Sequence, residues 1–218
     1  MSVPAAAIPS ALTVSALFLR SLTEIAQVEV RGVEVGGKPS PALARIERRR
    51  DGFWIVFQPR MLDAPVPALL FVLAHEVAHI ALGHRRIIRR LGFALMATTP
   101  LIGIGFFAVS IPQIVHDANP WLLLIESVIW LAALLSPRAI ILFVARRHEY
   151  QADRMALTLV GNPHTAVAFF DWLATFKPYL MPLPLRLWGS THPPNVARRR
   201  ALLGGSPVGA PAQPTSAH

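Results

Sequence analysis

The chain has 218 residues, 53% of them hydrophobic and only 15% charged, against about a quarter charged in soluble domains. It has no cysteine, which excludes disulfides and thiolate metal sites and leaves imidazole and carboxylate as the metal ligands available. The formal charge of +9 raises nucleic acid as a partner, but the arginines flank apolar runs instead of forming a patch interleaved with aromatics, so no nucleic-acid role is expected.

Residues 1–9 form a Pro/Ala-rich lead, and with no charged region before Ala5–Leu19 no cleavable signal peptide is read. Ser10 to Gln27, with Leu12, Leu19, Leu22 and Ile25 apolar, predicts a helix too short and interrupted to span a bilayer. It is expected to pack on the domain, with the membrane surface as the alternative. Val28–Val35, Ala42–Arg48 and Gly52–Phe57 predict strands, punctuated by Gly36-Gly37 and by Arg50-Asp51-Gly52. Arg45, Arg48, Arg49 and Arg50 read as a solvated or lipid-facing surface. Phe53 to Phe57 is apolar without alternation, so both of its faces should be covered. An edge strand near Gly52–Gln58 is expected to pair with an extended substrate.

A helix follows Pro65 and Pro67 and is expected to run unbroken from Leu69 to about Arg90, its first half apolar nearly all round as in a buried helix. Leu91 to Val115 contains no charge and is long enough to cross a hydrocarbon core of ~30 Å. After the polar turn at 116–120, Trp121 to Ala145 is a second apolar run, interrupted only by Glu126 and Arg138. Both are expected to snorkel towards an interface, and Pro137 to kink the helix. Arg85, Arg86, Arg89, Arg90, Arg146 and Arg147 flank this hairpin on one side, while Asp117 is the one charge in its turn. The positive-inside rule then places both flanking halves in the cytoplasm, as parts of a two-span protein of the inner or plasma membrane.

Arg146 to Val160 predicts a helix ended by Gly161-Asn162-Pro163, and Thr165–Phe176 another. A proline-rich connection at Pro178, Pro182 and Pro184 leads to a last short helix, Asn195 to Leu203. The Gly/Pro/Ala/Ser-rich tail is expected to be disordered. The organisation is therefore an N-terminal segment (1–27), a first half-domain (28–90), a membrane hairpin (91–145), a second half-domain (146–203) and a tail (204–218). The class is α+β and mainly helical.

The chemistry concentrates in three places. His75-Glu76-Val77-Ala78-His79 sets two imidazoles four residues apart on one helix face, a spacing that lets both reach one zinc ion at about 2.0–2.1 Å. Glu76, beside the first ligand, is positioned to act on water without binding the metal. A third ligand is sought in Glu149-Tyr150-Gln151-Ala152-Asp153, where Glu149 and Asp153 also share a face. Glu149 is the ligand candidate, and Asp153 the acceptor for the N–H of a metal-bound histidine. Read alone, these are ordinary helix-surface acids; the pairing with the first motif favours the site. His84 is rotated well away from His75 and His79 on an ideal helix and cannot join the same metal without a break. His192, in Ser190-Thr191-His192-Pro193-Pro194, is either an oxyanion donor or a plain loop histidine. Arg198 is a candidate for the same pocket, with Arg199 and Arg200 competing.

Taken together and in this order, the three motifs resemble the M48 metallopeptidases, and within them the HtpX-like membrane proteases related to the Ste24 CAAX prenyl proteases. The resemblance covers roughly Val28–Leu203. It implies a zincin-like fold, one zinc ion per chain bound by His75, His79 and Glu149, and Glu76 as general base. It also implies Asp153 behind the ligands and His192 near the oxyanion. The expected substrates are polypeptides, above all damaged membrane proteins, met at the lipid bilayer. HtpX-like chains usually begin with two further transmembrane helices, and no such pair precedes Val28 here. Two rival readings are an M56-type membrane sensor that cleaves a repressor, and a non-catalytic scaffold or chaperone stabilised by zinc.

Overall fold

The computed structural model describes residues 7–36, 42–115, 119–176 and 192–204. The turn at 116–118, the proline-rich connection, Ser190-Thr191 and the tail beyond Gly204 lie outside the described residues.

Helix α1 (Ala7–Ala26) leads into a three-stranded sheet, β1 (Val30–Val35), β2 (Ala44–Arg49) and β3 (Gly52–Phe57). The strand order is β1-β3-β2, with β1 parallel and β2 antiparallel to β3. The expected edge strand is thus the central one. Ile55 is paired on both sides, to Val33 and to Ile46, and Ile55, Val56 and Phe57 are fully buried. The non-alternating run from Phe53 fits this placement, since a strand covered on both faces and both edges has no side free for polar residues. At the β2–β3 turn, Gly52 has φ +138°, a conformation open to glycine and strained for other residues.

A 3₁₀ turn (Pro59–Asp63) precedes α2 (Val66–Ala81). Pro67 in its first turn suits a position whose N–H has no helical partner. Leu69, Phe71, Val72, Leu73, Ala74, Val77 and Ala78 are all buried, because α1, α5 and β2 pack around this helix. Instead of continuing to Arg90, the helix stops at Leu82. Gly83 takes φ +64°, the left-handed turn that closes many helices, and α3 (His84–Val115) begins beyond it. The clustered arginines at 85–90 therefore belong to α3.

α4 spans Pro120–Val160, merging the second apolar run with the motif-bearing helix after it and remaining helical across Pro137. α5 (Pro163–Ala174) is capped by Asn162, whose side chain accepts from the His164 N–H at 2.9 Å. α6 (Asn195–Leu203) closes the described chain.

The described residues form two compact units, one from those up to Leu82, those from Glu149 to Phe176 and those from Pro193 onward, the other from Gly83–His148 with His192. In the first, Leu19 and Leu22 of α1, Ile55 and Phe57 of β3, the apolar face of α2, Ala156 of α4 and Phe169 and Phe170 of α5 make one core. Phe71 stacks on Phe169 at 5.3 Å. Burying such aromatics supplies much of a core's stabilisation.

The second unit is a helical hairpin. Residues 84–112 of α3 and 120–160 of α4 are long and apolar enough to cross a membrane, each containing an 18-residue stretch of high mean hydropathy, 1.9 and 2.2. Little of them is covered by protein, and Leu101, Ile104, Phe107, Trp121, Ile125 and Ile129 are exposed. Glu126 does not snorkel outwards. Ser110 Oγ and Trp130 Nε1 both donate to its Oε1, at 3.0 and 3.2 Å, which sets the carboxylate between the helices. A neighbouring hydroxyl and indole thus serve one of its two oxygens where lipid offers no donor, while Oε2 is buried without a hydrogen-bond partner among the described residues.

Candidate metal centre

α2 and the last turns of α4 face each other across the first unit and bring the predicted ligands together. His75 and His79, one helical turn apart, direct their Nε2 atoms at the same point, 3.0 Å from each other. Glu149 completes a triangle, with Oε2 3.5 Å from His75 Nε2 and Oε1 3.4 Å from His79 Nε2. A tetrahedral ion with ligands at about 2.0–2.1 Å holds its donors about 3.3–3.4 Å apart. The donor set, two nitrogens and one carboxylate, fits zinc, and the separations of 3.0–3.5 Å, measured to the two oxygens of Glu149, are close to that spacing. Among the described residues this is the one group of three or more metal-type side chains that converges in this way.

Behind the triangle, His75 Nδ1 lies 2.9 Å from Asp153 Oδ1. Asp153 is in turn held by Arg198, whose Nε and Nη2 donate to Oδ2 and Oδ1 at 2.8 and 2.6 Å. Arg198 Nη1 also sits 3.6 Å from Glu149 Oε2. Asp153 and Arg198 are both buried, 1% and 6% exposed, so little solvent screens this chain of charges. It fixes which histidine nitrogen is free for a metal.

Electrostatics follow from the geometry. Burial disfavours an imidazolium at His75, but hydrogen bonds to Asp153 and Glu149 outweigh it and push its pKa up to about 10. Burial likewise opposes the charge on Asp153, yet hydrogen bonds from Arg198 and His75 hold its carboxyl below the ordinary value. Glu76, half-buried on α2, adds a further carboxylate whose charge Arg198 feels. Without a metal, the site compensates its carboxylates with a proton on His75.

A family model described as Peptidase family M48 matches residues 55–205. The chain belongs to peptidase family M48. No curated protein and no solved structure matches it. The matched region of this M48 peptidase starts within β3 and takes in α2, the hairpin, the Glu149 helix and α6. The M48 chain is thereby assigned to the metallopeptidases, which hydrolyse peptide bonds, and its largely buried His75, His79 and Glu149 group could hold a metal ion.

Other sequence-singled residues fall elsewhere. His84 is buried, and its ring stacks on His148 at 4.0 Å and 5° in the hairpin unit. His192 is exposed on the bend before α6 and groups with the hairpin unit. Arg198 is committed to carboxylates, which makes it a positioning group. The sequence made it the candidate for transition-state support, with Arg199 and Arg200 competing. Helix phase alone does not separate them, since Leu202 and Leu203, four residues after Arg198 and Arg199, both pack against the core; the fold buries Arg198 and leaves Arg199 and Arg200 exposed.

Proposed function

We propose that this chain is a membrane-spanning zinc endopeptidase with a zincin-like catalytic half, of the HtpX-like kind, acting on polypeptides that include damaged membrane proteins. The observation that carries the reading is the triangle of His75, His79 and Glu149 donor atoms at 3.0–3.5 Å, backed by the Asp153–Arg198 pair. Two long apolar helices largely bare of protein cover support the membrane part, because water-exposed apolar surface of that extent marks a partner or a bilayer. The arginines at the hairpin's flanks support a catalytic half facing the cytoplasm.

When bound, one zinc ion per chain supplies Lewis acidity, polarising a carbonyl and acidifying water to near-neutral pKa. His75, His79 and Glu149 would hold it. Glu76 accepts the proton as water adds to the peptide carbonyl carbon, and returns it to the amine as the C–N bond breaks. Asp153 keeps His75 in the ligating tautomer and Arg198 keeps Asp153 ionised. The Ser-Thr-His-Pro-Pro motif supports His192 as a donor to the oxyanion, a role typically worth ~10²–10³ in turnover.

The test is purification in mild detergent, metal analysis and a casein-degradation assay of wild type against Glu76→Gln. Zinc near one per chain in both proteins, with turnover almost abolished in the variant, is expected. Absence of zinc, or equal turnover in the two, overturns the reading.

A further inference from the structure

We infer that the arginine-lined end of the α3–α4 hairpin is a binding site for the phosphate headgroups of anionic phospholipids. The inference rests on the membrane-spanning reading above. Arg85, Arg86, Arg89 and Arg90 occupy the first two turns of α3, in two adjacent rows of i, i+4 spacing that share one side of the helix. No aspartate or glutamate occurs anywhere in His84–Val115, so the helix supplies no acid to neutralise them.

The stack of His84 on His148, at 4.0 Å, holds the start of α3 level with α4 at His148. It thereby brings Arg147, the neighbour of His148 on α4, to the same height as the α3 cluster. Arg86, Arg89, Arg90 and Arg147 are all exposed. The uncharged run begins at Leu91, immediately after Arg90. In a bilayer this puts the guanidinium groups at the depth of the lipid phosphates.

That position selects the occupant. A soluble polyanion has no reason to prefer charges placed next to a membrane span, whereas anionic headgroups lie at that level. A guanidinium binds a phosphate through two parallel N–H···O bonds. Near an anionic surface each such residue contributes about a five-fold preference.

The full chain is reconstituted in vesicles of equal parts phosphatidylglycerol and phosphatidylcholine, then extracted in mild detergent, and retained lipids are counted by native mass spectrometry. Wild type should retain phosphatidylglycerol over phosphatidylcholine by at least ten-fold, and the preference should fall as salt is raised. Replacing Arg86, Arg89 and Arg90 together by glutamine should cut it by at least ten-fold, and replacing them by lysine should keep most of it. Resistance to an alkaline carbonate wash is measured on the same vesicles. A chain that stays with the vesicles but shows no headgroup preference, or a glutamine variant that retains it, overturns the lipid site alone. A chain that washes off overturns the membrane-spanning reading and this inference together. Should the glutamine variant fail to insert, the salt dependence of wild type decides: a preference indifferent to salt overturns the site.

Discussion

Arg198 grips Asp153 through two hydrogen bonds, at 2.8 and 2.6 Å, across 45 residues of sequence. This pair joins α6 to the motif helix and ends at the metal-facing histidine, since Asp153 also holds His75 Nδ1 at 2.9 Å. A metal centre is only as well ordered as the groups that orient its ligands, and here one buried arginine orients the orienting carboxylate.

Replacing Arg198 by methionine keeps much of its volume and strands the charge of Asp153. Breaking a buried pair in this way typically costs about 3–5 kcal/mol, so the thermal midpoint should drop by several degrees. Zinc affinity should weaken by about 10–100-fold, with Asp153→Asn similar and the double variant less than additive. Competition with a chromophoric chelator measures it; an Arg198→Met protein that binds zinc like wild type removes the orienting role.

The proton on His75 sets a pH dependence. Its pKa near 10 lies above the ordinary 6.5, so in the metal-free protein its contribution to stability is complete below about pH 6.5 and is lost as pH rises through 10. Asp153 is depressed from 3.8, so its contribution is present above about pH 4 and is lost as pH falls through its folded value. Metal requires a neutral His75. Zinc binding at pH 7 should therefore release a proton, and affinity should rise about tenfold per pH unit until the imidazolium is gone. Calorimetry in two buffers of different ionisation enthalpy reads the proton; identical heats would contradict the assignment.

Phe71 carries the contact between α2 and α5. It is fully buried, with Phe169 at 5.3 Å and Phe170 at 6.2 Å. Phe71→Ala should destabilise the first unit by about 3–5 kcal/mol, whereas Phe71→Leu should lose markedly less. Denaturant or thermal unfolding of the detergent-solubilised protein distinguishes the two, and equal losses would mean that ring packing is not what joins these helices.

Within the hairpin, Ser110 and Glu126 form an interhelical bond of 3.0 Å. A double-mutant cycle with Ser110→Ala and Glu126→Leu, each of which removes the bond, should give a coupling of about 0.6 kcal/mol, with ~1.7 as the upper range for such bonds in membranes. Unfolding in mixed micelles provides the readout, and a coupling near zero would place the carboxylate outside the contact.

Much of the site could be read from local spacing. His75 and His79, and again Glu149 and Asp153, repeat at four residues, so one helical turn alone puts each pair on a common face. The charge-free run from Leu91 and the apolar run from Trp121 likewise announced two long helices. Spacing failed where neighbouring segments compete for the same chain. Gly83 looked like one residue inside a helix, and its left-handed turn depends on where α3 must start. Glu126 looked exposed until Ser110 of the other helix arrived.

By itself, the amino-acid order determined the helical periods, the absence of thiol ligands and the three chemical motifs, because each of these is written within a few residues. Tertiary structure decided which strand is central, which of three consecutive arginines is buried, and whether Glu149 meets His75 and His79. These depend on segments distant in sequence being driven together by burial of the shared apolar core. A one-dimensional pattern records that each segment has an apolar face, but not which other face will cover it.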